Sequence, residues 1–228
     1  VRYGQIPAYR AISKSGKSFP VVLVVQEIFG VHEYIKDMYR RFAKLGLRRS
    51  CMPPGRCLQD YRHPTDHHQV VSKVPYEQVM SDLDAAVDWS GKSAKGDTCR
   101  LAITGFCWDG RIVALCRAQP EAQSGHGVVR APVGQTGQLQ PKHPIDVAGS
   151  LKAPVLGLYG GKDQGIPLDT IEQMRAALKA AGNPSEIHVY PNGGHGCNAD
   201  YRPGYDKEAA QDGGWQRLQQ WFKKYGVA

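Results

Sequence analysis

The chain has no apolar run of the 18 or more residues needed to cross a bilayer, and no charged leader with an apolar core precedes the first strand signal. A soluble, cytoplasmic protein with no membrane partner is expected. Paired Cys-x-x-Cys spacing is also missing. Six cysteines, Cys51, Cys57, Cys99, Cys107, Cys116 and Cys197, are too few for a disulfide-built domain of 228 residues. A reducing compartment suits them better. Lysine and arginine outnumber acidic residues 29 to 21, a formal charge of +8, yet no dense basic tract exists: Arg40-Arg41 and Arg48-Arg49 stand apart among apolar and small residues. Nucleic acid is therefore not an expected partner, whereas a small anionic ligand would suit the balance. No His-Glu-x-x-His pattern occurs. His63 and His67 could share a helical face, with His68 beside them, but Pro64 breaks that helix and no glutamate joins them. No metal or organic cofactor is expected, and the histidines are read as part of a polar pocket rim. Internal repeats and low-complexity tracts are absent.

The length suits one α/β domain over residues 1–228, able to bury roughly 70% of the surface its unfolded form exposes, as a monomer or weak homo-oligomer. The run Pro20-Val21-Val22-Leu23-Val24-Val25-Gln26 is continuously apolar up to Gln26 and rich in β-branched valine, the mark of a strand covered on both faces. A helix follows over 33–44, with Ile35, Met38, Tyr39, Phe42 and Ala43 at helical spacing and Gly46 as its stop. A strand diluted by Arg48, Arg49 and Ser50 is expected at 47–52, then a polar excursion over 56–75 of the kind that walls an active site. Further signals place a helix through Val79, Leu83, Ala86 and Val87, a strand at 100–104, a helix over 107–116, a short strand at Val128-Val129 and a strand at 154–159. A helix at 168–181 stopped by Gly182, a strand at 186–190 and a closing helix at 215–225 complete the chain. Alternation of this kind argues an open, mostly parallel sheet flanked by helices on both faces.

Against that frame Cys107 is the informative residue. It sits in Gly105-Phe106-Cys107-Trp108-Asp109-Gly110, where a strand should turn sharply into a helix, which is the setting of a nucleophile elbow with cysteine for serine. Two later strands carry loops that supply an acid and a base: Asp163 after Gly160-Gly161-Lys162, and His195 after Pro191-Asn192-Gly193-Gly194. Nucleophile, acid, histidine is the chain order of the α/β-hydrolase fold. A thiolate could attack an activated carbonyl while His195 moves the proton and Asp163 holds the imidazole tautomer. Backbone N–H groups of Ile28 and Trp108 would form the oxyanion hole. Bland readings stand beside these: Cys107 as core packing, Asp163 as a turn or cap for the helix near Leu168. Glu27 is a carboxylate at the end of the most apolar strand. It either pairs with an arginine or faces Cys107 and governs ionisation of the thiol, and burial should raise its pKa unless a partner neutralises it.

Those segments resemble the dienelactone hydrolase family of α/β-hydrolases, through 24–30 (Val-Val-Gln-Glu-Ile-Phe-Gly), 104–108 (Thr-Gly-Phe-Cys-Trp), 157–163 (Gly-Leu-Tyr-Gly-Gly-Lys-Asp), the loop ending in His195, and Trp221-Phe222. The resemblance runs through most of the chain. It implies a carboxylic ester hydrolase that opens the lactone ring of dienelactone in the catabolism of chlorinated aromatics, without metal or organic cofactor. It also implies that Glu27 hydrogen-bonds the resting cysteine and swings when substrate binds, and that arginines grip the substrate carboxylate. Arg202 is the candidate for that grip, although it lies further from the histidine than the family's arginine does; an ordinary surface position is the alternative. Asp109 stands where the family has glycine, and its charge would oppose thiolate formation. Residues 47–58 and 129–139 also leave the family's pattern, through local divergence or error in the reported sequence. Two other functions compete: a broader carboxylesterase or thioesterase, and a noncatalytic binding module on a retired hydrolase scaffold, which Asp109 motivates.

Overall fold

The β-branched run is strand β2, Phe19–Val25, and all seven of its residues are buried in this computed structural model. The structure describes residues 9–12, 18–46, 48–50, 73–92, 96–116, 128–129 and 137–227. Two-sided burial follows from pleating, because successive side chains of a strand leave on opposite faces. Val21, Leu23 and Val25 enter a core with Leu101, Ile103, Leu83 and Ile112, while Val22 and Val24 enter another with Ile35, Tyr39, Phe42 and Phe222. A strand with a core on each side has no polar face to show in its sequence.

Around β2 the chain builds β1 (Arg10–Ala11), β3 (Arg48–Ser50), β4 (Gly96–Gly105), β5 (Val128–Val129), β6 (Leu156–Gly160) and β7 (Glu186–Tyr190). Hydrogen bonding orders the first group β1-β3-β2-β4 and the second β5-β6-β7, and β5 lies beside β4. Among the described residues these strands pair in parallel except β1 with β3. The helices among the described residues are α1 (Glu33–Lys44), α2 (Tyr76–Lys92), α3 (Trp108–Cys116), α4 (Leu168–Ala180) and α5 (Leu218–Lys224). Helices α2 and α3 cover one face of the sheet and α1 and α5 the other. On the second face the Tyr39 hydroxyl donates to Val24 O at 2.7 Å, and Phe42 meets Trp215 at 5.2 Å and Phe222 at 5.9 Å.

The expected mostly parallel sheet with helices on both faces is what forms. Several boundaries move. Strand β4 starts at Gly96 rather than Arg100, its early residues joining β2 through an irregularity in register between Pro20 and Val21. Helix α2 starts at Tyr76, three residues before Val79. Helix α3 starts at Trp108, because Cys107 itself is not helical. The diluted strand at 47–52 forms over Arg48–Ser50, held between β1 and β2 by backbone pairing that ignores its polar side chains. Strand β1 and the 3₁₀ segment Pro144–Ser150 carried no periodic signal. The closing helix was expected to begin at Trp215; instead Ala209–Arg217 is π-helical and α5 begins at Leu218. Gly213 and Gly214 weaken the ordinary helical ladder there. Gly182, at φ 63°, closes α4 as expected. The polar excursion as far as residue 72, with His63, His67 and His68, the altered stretch at 51–58 and residues 130–136 lie outside the described residues, as do the side chains of Trp108 and Asp109, while Val74 at the end of the excursion is buried in the core. Among the described residues no helix is long and apolar enough to cross a membrane.

Phe222 is fully buried and joins α5 to α1. Phe222→Ala is expected to cost about 3–5 kcal/mol of stability, read as a lowered midpoint in urea unfolding with an unchanged slope.

Candidate active site

Strand register brings the site together. Val25 of β2 pairs with Gly105 of β4, so two residues further on in each strand Glu27 and Cys107 emerge at the same edge. Gly160 of β6 pairs with Tyr190 of β7, and three and five residues beyond them come Asp163 and His195. All four line one pocket with Arg202, against apolar Phe106 and Leu158.

Cys107 has φ 64° and is the only non-glycine among the described residues in the left-handed region. That conformation costs an L-residue about 1–2 kcal/mol. Helix α3 begins at the next residue, and its Ile112 and Val113 anchor the turn in the core. The thiol is partly buried at the pocket wall and packs against the core, so the core-packing and pocket readings of Cys107 hold at once.

The acid and base loops lie flush against each other. Gly161 N donates to Tyr190 O at 2.7 Å and Lys162 N to Gly193 O at 2.9 Å. A Cβ at Gly160 would fall 2.5 Å from Gly193 O and 2.6 Å from Gly194 O, so only glycine allows this approach. The approach seats Asp163 under His195: Oδ2 accepts from His195 Nδ1 at 2.8 Å, while Oδ1 accepts from Gly165 N at 2.8 Å. Asp163 thus makes its turn and orients the imidazole with different oxygens. The buried carboxylate thereby engages Nδ1 and fixes the orientation of the ring.

Glu27 is 3% exposed, and its Oε2 accepts from Arg202 Nη2 at 2.6 Å. The direct partner is therefore the arginine, while Cys107 shares the pocket wall. Arg202 does not occupy an ordinary surface position. Its guanidinium lies 5.3 Å from the Phe29 ring and 5.5 Å from the Tyr201 ring, and its Nε donates to the Tyr201 hydroxyl at 3.3 Å. Burial opposes its charge, yet the Tyr201 hydroxyl and the Glu27 carboxylate raise its pKa above the usual value. Gly196, at φ 69°, makes room: a Cβ there would meet Arg202 Cδ at 2.8 Å. Phe29, His32 and Tyr201 belong to this site and were not singled out from the sequence. Adjacency to Glu27 and Arg202 was the available signal.

Ile28 lies in the turn closed by Gly30 N donating to Glu27 O at 2.9 Å, with its side chain packed on the core. Trp108 opens α3 directly after Cys107. Cys197 also lines the pocket, and burial, with Asp206 next, raises its thiol pKa. Among the described residues no group of three His, Cys, Asp or Glu side chains could hold a metal ion.

The model of the dienelactone hydrolase family matches residues 6–226. A protein of Methylorubrum extorquens named "Putative carboxymethylenebutenolidase" is 54% identical over 230 residues, covering 99% of this chain and 79% of that one. The chain belongs to the dienelactone hydrolase family. A Salmonella typhimurium protein of the same name is 47% identical, covering 97% of this chain and 83% of its own length. The crystal structure named "Putative Dienelactone Hydrolase" from Klebsiella pneumoniae superimposes with a TM-score of 0.90 at 45% identity, over 98% of this chain and 95% of that one. The fold is accordingly the α/β-hydrolase fold, and the protein is an ester or lactone hydrolase.

Gly160→Ala should force the two loops apart. The expected cost is about 1–3 kcal/mol, seen as a Tm lower by several degrees, with a larger proportional loss of hydrolytic rate.

Proposed function

We propose that this protein is a single-domain, cysteine-dependent hydrolase that opens the lactone ring of dienelactone or a related small activated ester. The observation that carries the reading is the pocket shared by Cys107, His195 and Asp163, with the imidazole already hydrogen-bonded through Nδ1 to a buried carboxylate. His195 Nε2 takes the proton from the Cys107 thiol as sulfur attacks the carbonyl carbon, and the backbone N–H groups of Ile28 and Trp108 stabilise the oxyanion. Collapse breaks the ring C–O bond, His195 returns the proton to the leaving oxygen, and a thioester remains on Cys107. Water, deprotonated by His195, then hydrolyses that thioester and regenerates the thiol. Asp163 keeps the imidazole in the required tautomer and offsets its positive charge.

Glu27 and Arg202 act at the pocket mouth. A substrate carboxylate arriving at Arg202 competes with Glu27 for the guanidinium, and a Glu27 released from Arg202 can influence the proton on Cys107. The chain's excess of positive charge favours an anionic substrate. Cys99, Cys107 and Cys197 form no disulfide among the described residues, and a reducing, cytoplasmic setting suits them.

A broader carboxylesterase or thioesterase is the second reading. It is favoured by the state of Arg202, whose charge Glu27 already balances, so that a neutral ester meets no unpaired cation at that point. A panel of dienelactone, neutral activated esters and thioesters separates the two. Preferred turnover of dienelactone supports the first, and failure of dienelactone with turnover of the others supports the second.

Cys107→Ala should abolish hydrolysis in every case, and activity surviving in that variant would refute the cysteine mechanism. Iodoacetamide is expected to label Cys107 in preference to Cys197, whose thiol burial holds above its ordinary pKa, and His195→Ala should suppress that labelling; peptide mass spectrometry reads both. Asp163→Asn should keep the fold but lower kcat by about three to four orders of magnitude through the wrong imidazole tautomer, measured at saturating substrate.

A further inference from the structure

Glu27, Arg202, Tyr201 and His32 close a ring of polar contacts, and Glu27 and Arg202 of that ring line the pocket. Arg202 Nη2 donates to Glu27 Oε2 at 2.6 Å, and Arg202 Nε donates to the Tyr201 hydroxyl at 3.3 Å. That hydroxyl lies 3.5 Å from His32 Nε2, which is itself 4.0 Å from the same Glu27 Oε2. Of the four, only histidine ordinarily changes charge near neutral pH.

His32 is held in this place. It occupies the N-cap position of α1 but makes no side-chain cap hydrogen bond, so its ring serves the cluster and not the helix end. It stacks on Tyr34 at 6.4 Å and meets Tyr201 edge-on at 5.4 Å. The Tyr34 hydroxyl in turn donates to Asn198 O at 2.9 Å, which fastens α1 to the loop that carries His195 and Arg202.

We propose that His32 is a positioning residue: by taking or releasing a proton beside Glu27, it sets how firmly that carboxylate holds Arg202 and so how readily Arg202 receives a carboxylate on the substrate. This rests on the reading of Arg202 as the substrate's carboxylate contact. When His32 is neutral, Arg202 is the cation on Oε2 and the pair is tight. When it is protonated, a second cation shares that oxygen and repels Arg202, so a substrate carboxylate competes for the guanidinium on better terms.

The groups facing His32 decide where this happens. Glu27, from the turn after β2, and Glu33, from α1, favour its charged form; Arg202, from the loop after His195, opposes it; Tyr34 and Tyr201 supply neutral rings. Burial is the largest influence and, with Arg202, holds the His32 pKa below the ordinary histidine value. His32 is therefore neutral at neutral pH and charges as the solution becomes acidic, and preference for anionic substrates should rise in that direction.

The test compares two aryl esters with one leaving group, a monoaryl succinate carrying a free carboxylate and the neutral aryl butyrate. KM for each is measured between about pH 5 and pH 8, the span of histidine ionisation. The ratio of the two KM values removes titrations that both esters share, such as those of Cys107 and His195. In the native protein this ratio should fall about threefold or more toward acid pH, and in His32→Gln it should be flat. The same acid-side fall persisting in His32→Gln would overturn the proposal. Arg202→Gln tests the underlying reading separately: it should raise the ratio about tenfold or more, as loss of a charged hydrogen bond does. An unchanged ratio in Arg202→Gln would sink that reading and the proposal with it. NMR titration of His32 gives a readout independent of turnover, since its pKa should rise in Arg202→Gln; no rise there would overturn the coupling even if the kinetics were ambiguous.

Discussion

Parallel strand register is the constraint on which the site depends. Val25 opposite Gly105 and Gly160 opposite Tyr190 are backbone pairings, made in the middle of the molecule with no chemistry of their own. They set which residues arrive together at the carboxyl edge of the sheet. A slip of one residue would turn every side chain of β2 to the other face, exchanging the residues that pack under α2 and α3 with those under α1 and α5. The two cores therefore hold the register, and the register places Glu27 near Cys107 and Asp163 near His195. The left-handed backbone of Cys107 is tolerated because both flanks are anchored: β4 by its long pairing with β2, and α3 by Ile112 and Val113 in the core.

Two buried carboxylates organise what the register assembles, and they do so differently. Asp163 divides its oxygens between its own turn and the imidazole, so ordering the loop and orienting the His195 ring are one structural event. Glu27 places its charge against Arg202 in a partly desolvated position. Such a pair contributes little net stability, since the attraction is largely offset by the loss of hydration, whereas removing one partner strands the other's charge. Its value lies in position. Phe29 and Tyr201 flank the guanidinium and limit where it can move, and His32 completes a cluster whose members come from the turn after β2, the start of α1 and the loop after His195.

Where the pattern in the chain was physical and local, it was legible. The β-branched run of β2, the helical spacing of α1 and the glycine stop after α4 each matched their elements because packing on a sheet demands those periodicities. Helix and strand starts were less legible: β4 gained residues through a register irregularity, α3 lost Cys107 to its left-handed turn, and Ala209–Arg217 wound as a π-helix. Strand β3, with two arginines and a serine, forms through backbone pairing to neighbours on both sides, which side-chain pattern does not report. Among the site residues, the glycine-framed loops singled out Cys107, Asp163 and His195, and the oddity of a carboxylate on an apolar strand singled out Glu27. His32, Phe29 and Tyr201 carried no such mark, because a histidine or aromatic near a turn is common and becomes informative only through its neighbours.

By itself the sequence determined the order of elements, the covered central strand, the tight turn at Cys107 and the glycines at the ends of β6 and β7. These are consequences of short-range sterics and of hydrophobic periodicity, which are written into adjacent residues. Only the tertiary structure decided that Glu27 takes Arg202 as its partner, that Arg202 is clasped between two rings, and that His32 stands beside both. Those contacts join residues up to 175 positions apart, and which side chains meet across such distances is set by how the two faces of the sheet are packed.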